Sequence, residues 1–341
     1  MKILLVDSIT RGHCGFYLKR AFEQLGHEVA SFDPYRRDIL YHLKRPLRLL
    51  DRSFPTNSAR SRHYLMKHNN PRLIALAKAE KPELIFFING KLADRELLAA
   101  LKAVPAKLAC WFIDDTFDFT TSIQNAARYD RYFTNAKYLV DEYRTRGASR
   151  TEFLPFGCDP EFHKGIDCTG ADRAAYACEV SFVGQMSPAR EALLGELAEF
   201  DVKFFGPGWH RKLAPGSPVL EKWQHRSVHG DELVKAYRLA NVSVNIHLDR
   251  ERADTGLNMR TFEIPACGGV QLVDRKREIG EIFEEGETVM SFGTDEEFKE
   301  KLTHLIKDGS ANERLRERSA AFVRKHHTYR HRAEEIMSFI S

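Results

Sequence analysis

Short apolar runs alternate with longer amphipathic stretches along this chain. The opening MKILLVDS is an apolar run ending in Asp7-Ser8, the pattern of a buried strand. A glycine-bearing loop over 9–15 follows, then a helical pattern with apolar Phe16, Leu18, Phe22 and Leu25. Gly26-His-Glu-Val29 closes that helix and starts the next strand. Residues 71–80 read as a helix, 81–88 as a strand with Asn89-Gly90 at its turn, and 106–113 as a strand that delivers Asp114-Asp115. The pattern continues with a strand at 129–134, a helix at 136–147 and the last strand of the first half at 151–157. Residues 159–177 carry Pro, Gly and charge with little periodicity and read as a linker.

The alternation then restarts. Residues 178–183 form a strand, and 184–190 its following loop and helix start, with Pro188 suited to a first helical turn. A strand at 202–205, a helix with Leu233, Val234 and Tyr237 inward, and a strand at 241–247 follow. Residues 251–273 complete a strand–loop–helix–strand unit, its short helix at 259–266 breaking near Pro265 and its second strand following Gly268-Gly269. Residues 282–290 and the helices after them complete this half, and a final helix covers 329–340. No internal repeat or low-complexity tract is present. Two α/β halves of this kind predict two facing Rossmann-like domains, at 1–158 and 178–327, with 328–341 crossing back onto the first.

Composition supports that reading. The chain of 341 residues is long enough for two domains, and 43% hydrophobic with 29% charged residues excludes a disordered or fibrous protein. No apolar run approaches the ~20 residues that span a bilayer, and the opening run is too short for a signal peptide, so a cytoplasmic protein is expected. Cysteines stand at 14, 110, 158, 168, 178 and 267 with no Cys-x-x-Cys pair, which predicts reduced thiols rather than disulfides or zinc. The net charge of +4 gives no reason to expect nucleic acid, but residues 36–62 hold eight Lys or Arg against two Asp. That basic, apolar-interleaved stretch is a candidate peripheral contact with an anionic membrane at its inner face, or a solvated helix packing on its own domain.

Candidate chemistry gathers at strand ends. Arg260 and Glu263 stand three apart and share a helical face, a cation and a carboxylate suited to phosphate and sugar hydroxyls, or an ordinary surface ion pair. Asp114-Asp115 are a candidate acid/base or hydroxyl-binding pair, or a helix N-cap. The loop carrying Gly12 and His13 lets backbone amides approach an anion, although its spacing is not that of a dinucleotide fingerprint. Arg190 with the amides at its helix start would suit phosphate, or serve as a surface charge. Asn245 and His247 occupy alternate positions at a strand end, and His247 also fits a core histidine. No Asp-x-Asp tripeptide occurs.

The segment TGLNMRTFEIPACGGVQLV resembles the donor-binding segment of glycosyltransferases of the GT-B fold. In the retaining branch two glutamates stand eight positions apart. Glu263 fits the second, while the first falls on Thr255, so the chain departs from the full pattern. The Arg260-Thr-Phe-Glu263 core is closer to the CgeB-like (spore-maturation-type) members. Gly-His-Glu-Val in the first half, a Trp-x-x-Asp-Asp-like segment at Asp114-Asp115, and Leu154-Pro-Phe-Gly-Cys-Asp-Pro160 at the domain crossing also match. The resemblance implies two domains about a cleft and a metal-independent transferase. Its substrate would be a nucleotide diphosphate sugar, a UDP-sugar above others, with no cofactor, and its acceptor a glycan, protein or lipid. It implies that Glu263 binds ribose, that Arg190 and Arg260 bind the diphosphate and that Gly184 allows its close approach. The turn at His229-Gly230 would read the base, with Gln185 standing where the family has an arginine, and Asn245 and His247 would face the donor. Gly12, His13, Asp114 and Asp115 would meet the reacting sugar and the acceptor, His13 or Asp115 acting as base if the enzyme inverts. The rival readings are a sugar-nucleotide epimerase of the same fold, a nucleotide-sugar-binding scaffold without catalysis, and a polyanion-binding module built on 36–62.

Overall fold

A computed structural model describes residues 1–37, 59–248 and 254–340; most of the basic stretch expected to meet a membrane lies outside the described residues. The chain divides into two compact units, Met1–Pro155 with Ala333–Ser341, and Phe156–Arg332.

The first unit is built on a six-stranded parallel sheet. Its strands are β1 Lys2–Val6, β2 Glu28–Phe32, β3 Leu84–Ile88, β4 Lys107–Phe112, β5 Arg131–Thr134 and β6 Thr151–Phe153, in the order β2-β1-β3-β4-β5-β6. Parallel strands covered on both faces read as continuous apolar runs. LIFFI of β3 is buried throughout, whereas the edge strand β2, EVASF, is only half buried. Leu4, Ile85, Phe87, Leu98, Leu108 and Tyr132 form its core. The helix expected from residue 71 begins earlier and spans Ala59–Glu80, with Pro71 inside it rather than at its start.

The second unit carries β7 Cys178–Val183, β8 Val202–Phe205, β9 Ala240–Asn245, β10 Gln271–Asp274 and β11 Met290–Phe292, parallel and ordered β11-β10-β9-β7-β8. Counted from its own first strand, each unit places its second strand on one side of the first and all later strands on the other. Connections that leave a parallel sheet in opposite directions open a crevice beyond the strand ends. That crevice falls between β1 and β3 in one unit, and between β7 and β9 in the other. Trp209 stacks on Trp223 with ring centroids 6.1 Å apart and joins Phe182, Phe204, Val242 and Leu272 in the second core.

Residues 159–177, expected as a linker, belong to the second unit. Gly170–Tyr176 is a helix there, with Thr169 and Asp172 closing a capping box, and Tyr176 packs 5.9 Å from Phe205. The polar composition that suggested a linker is helix-capping chemistry and an ion pair, Asp172 to Lys235 at 2.7 Å. The final helix, Tyr329–Ile340, runs through the second boundary, and its end meets the first unit through Phe339 on Phe133. None of the six cysteines forms a disulfide. Among the described residues no helix is long and apolar enough to cross a membrane.

Candidate functional site

At the β7/β9 crevice the chain leaves β7 through Gly184. Its N–H donates to the Phe205 carbonyl at 2.9 Å, and its own carbonyl accepts from the Trp209 indole at 3.1 Å. Gly206 lies so close that a Cβ there would stand 1.9 Å from the Gly184 oxygen. A Cβ on Gly184 itself would meet the Phe182 ring at 3.0 Å and the Arg260 guanidinium at 3.3 Å. Arg260 opens the helix Arg260–Ala266 and therefore stands over this glycine turn, facing the Tyr237 hydroxyl. Glu263, one turn on, is 5% exposed. Burial pushes its carboxyl up to about 7, and the positive charge of Arg260 opposes the rise. His163 brings Nε2 to 3.6 Å from Glu263 Oε1.

Three residues expected at the donor are turned inward instead. The Arg190 guanidinium donates to the Ile246 carbonyl at 3.1 Å through Nε and again through Nη2, and to the Gln185 carbonyl at 2.6 Å. It also lies 5.3 Å over the Phe182 ring. Carbonyls at the ends of parallel strands have no further strand to pair with, and Arg190 satisfies them rather than a phosphate. Asn245 is fully buried, with its amide shared among Asn258, Thr261 and Gln271. His247 accepts from the Asn258 N–H at Nε2 (3.0 Å) and donates from Nδ1 to Asp274 at 2.7 Å. Burial raises the Asp274 carboxyl, but His247 and Lys276 outweigh it and hold that group well below the usual carboxylate range. Both residues thus brace the loop 254–258 from within. Glu278 braces the same loop, accepting from the Thr255 hydroxyl and from the Gly256 N–H at 3.0 Å. Gln185 and His229 are exposed, and Gly230 takes φ +56 before the helix Asp231–Arg238.

In the first unit, Asp7 follows β1 and accepts from the Gly15 N–H at 3.0 Å. A Cβ on Gly15 would lie 2.6 Å from that carboxylate, so glycine is required by close approach. Burial pushes Asp7 up to about 7, the Ser8 and Gly15 amides oppose it, and Asp33 and Asp114 add to it. Gly12 takes φ +100, and exposed His13 begins the helix Cys14–Gln24 without capping it through its side chain. Asp114 makes no cap bond either. It accepts from Asn89 at 2.6 Å and pairs with Lys91 at 2.7 Å, and Lys91 reaches Asp118 at 2.9 Å. Asp115 departs from expectation. It is fully buried, and its oxygens accept from Ser122 at 3.0 Å and from the Tyr143 and Thr134 hydroxyls. Burial pushes it up to about 7 against those donors. Adjacent residues at a helix start point in different directions, and Asp115 points into the core.

Sequence reasoning missed Asn89 and Lys91 as partners of Asp114, and it missed His163, Asp274 and Glu278. Asn89 and Lys91 follow directly on a strand end, a usable signal; His163 lay in the supposed linker and gave none. Among the described residues, no group of three or more His, Cys, Asp or Glu is placed to hold a metal ion.

Residues 188–338 match the model of the glycosyl transferase-like family, and the architecture of both units is that of GT-B glycosyltransferases. The family match thus falls within the second half of the chain, and the fold is that of GT-B glycosyltransferases. In sequence it is similar to the spore protein CgeB of Bacillus subtilis (strain 168), 24% identical over 222 residues, or 60% of this chain and 68% of that protein. In structure it is similar to Anabaena Alr3699/HepE, solved in complex with UDP and glucose, with a TM-score of 0.65 at 14% identity over 100% of this chain and 99% of that one. Sucrose-phosphate synthase from Thermosynechococcus elongatus gives a TM-score of 0.68 at 14% identity over 100% and 98% of the two chains.

Proposed function

We propose that the second unit holds the nucleoside diphosphate of a sugar donor, a UDP-sugar in the first instance, and that the first unit presents the acceptor. The observation that carries this is the Arg260 guanidinium standing over the Gly184 turn, with the Glu263 carboxylate one helical turn below. The glycine lets phosphate oxygens approach the backbone, Arg260 offsets the charge that develops on the departing diphosphate, and Glu263 accepts from ribose hydroxyls. The complexes of Alr3699/HepE with UDP and with UDP-glucose support the choice of base. In the first unit Asp114 is held by Asn89 and Lys91 in reach of acceptor hydroxyls. With Asp115 enclosed, exposed His13 is the base for an inverting reaction. The basic stretch 36–62, with its local charge of +6, fits contact with an anionic membrane, which co-sedimentation with anionic vesicles at low salt would detect.

Thermal unfolding in UDP, GDP, dTDP, CDP and ADP tests the donor assignment. A ligand at ten times its Kd adds about 1.4 kcal/mol to the protein that binds it. One base should stabilise the chain, and Glu263→Ala should abolish that shift. No shift with any of the five would remove the donor reading.

A further inference from the structure

Glu263 lies among groups from three parts of the second unit. Arg260 shares its helix and Cys267 caps that helix's end, Tyr237 comes from the helix Asp231–Arg238, and His163 comes from the segment just after the chain enters the unit. Burial pushes Tyr237 and Cys267 well above their ordinary values, so neither ionises near neutral pH. His163 is 2% exposed and sits in a built turn. The Asp159 carbonyl accepts from the Phe162 and His163 amides, the Asp159 carboxylate accepts from the Glu161 N–H, and the Asp159 N–H donates to His163 Nδ1 at 2.9 Å. With Nδ1 accepting, the ring proton is on Nε2, the atom 3.6 Å from Glu263 Oε1. That distance exceeds a hydrogen bond, but both groups are buried, so the N–H dipole is only weakly screened.

We infer that His163 is a positioning residue for nucleotide binding: its Nε2–H holds the Glu263 carboxylate ionised and aimed at the ribose hydroxyls of a nucleoside diphosphate. The inference rests on the proposed role of Glu263 as the ribose ligand. Arg260 alone cannot do this work throughout the cycle. Once a diphosphate draws on the Arg260 charge, its pull on Glu263 weakens, and the bound anion itself disfavours a second negative charge nearby. His163 is the partner that the ligand leaves in place.

Two substitutions separate the ring's two edges. Asn at 163 keeps an acceptor for the Asp159 N–H and loses the donor toward Glu263; Gln keeps a donor near the Nε2 position. Calorimetric binding of the nucleoside diphosphate that stabilises the wild-type chain most, measured from pH 6 to 9, is the test. Wild-type affinity should fall as pH drops through about 7, where Glu263 takes up a proton. In His163→Asn that fall should move up by about one pH unit, giving about 5-fold weaker binding at pH 7, about 10-fold at pH 6 and convergence near pH 9. His163→Gln should follow the wild type. An unchanged profile in His163→Asn, or an equal loss at every pH, overturns the inference. If His163→Asn does not fold, His163→Leu, which also lacks a donor toward Glu263, takes its place: a midpoint displaced upward by about a unit supports the inference, and a wild-type midpoint overturns it. Wild-type protein that binds none of the five diphosphates would instead bring down the Glu263 assignment, and this inference with it.

Discussion

Arg190 and Arg260 both stand beside the β7 turn, yet one spends its donors on backbone carbonyls and the other faces the crevice. Their alanine variants should therefore fail differently. Arg260→Ala should fold with little change in melting temperature and lose at least ~100-fold in turnover. Arg190→Ala strands the Ile246 and Gln185 carbonyls and should cost roughly 3 kcal/mol in urea unfolding. Glu263 carries a pH signature of the opposite sign to most carboxylates. Its value in the folded chain, about 7, lies above the ordinary 4.5, so the folded state holds the proton more tightly than the unfolded one. Its contribution to stability is complete below about pH 4.5 and is lost as pH rises toward 7. Glu263→Gln mimics the protonated form. Urea unfolding at pH 5 and pH 8 should show the variant gaining on the wild type at the higher pH.

Between elements, the glycines show how closely the second unit is packed around its turn. Gly206→Ala would drive a methyl group into the Gly184 carbonyl at 1.9 Å, a backbone atom that cannot rotate away. It should cost roughly 2–4 kcal/mol and remove nucleotide-induced stabilisation together. Gly195, whose nearest neighbours to a Cβ are 3.9 Å away, is the control, and its alanine variant should change stability by no more than about 0.5 kcal/mol. In the first unit, Asp115 joins the helix Asp115–Ala126 to β5 through Thr134 and to Tyr143 beyond it. Its partners are all hydroxyl donors, so Asp115→Ala should leave them unsatisfied and lower stability by roughly 2–4 kcal/mol. The measurement is unfolding, since the residue has no path to an acceptor.

At the scale of the whole molecule, the last helix gives its end to the unit in which the chain began. Phe339 packs on Phe133 with ring centroids 6.0 Å apart, and the Ile340 carbonyl accepts from Lys107. Removing residues 333–341 should lower the unfolding temperature of the first unit. The stabilisation by a nucleoside diphosphate should survive that truncation, because the residues assigned to the donor lie within 156–332. Scanning calorimetry with and without nucleotide separates the two effects, and loss of the nucleotide effect would place part of the donor site outside the second unit.

The amino-acid sequence by itself determined the α/β alternation, the glycine turns, and the Arg260–Glu263 face, since buried parallel strands and helical spacing impose periodicities that local residues must obey. The same periodicity could say that Asp114 and Asp115 end a strand, but not which of them the packed helix would turn outward. Nor could it distinguish Arg190 from Arg260, because the carbonyls that occupy Arg190 belong to Gln185 and, 56 positions away, to Ile246. His163 reaches Glu263 across 100 positions, through a turn that composition alone had made a linker. Which side chains are satisfied inside the protein, and which are left to face a ligand, is set by contacts distant in the chain. Only the tertiary structure decided that.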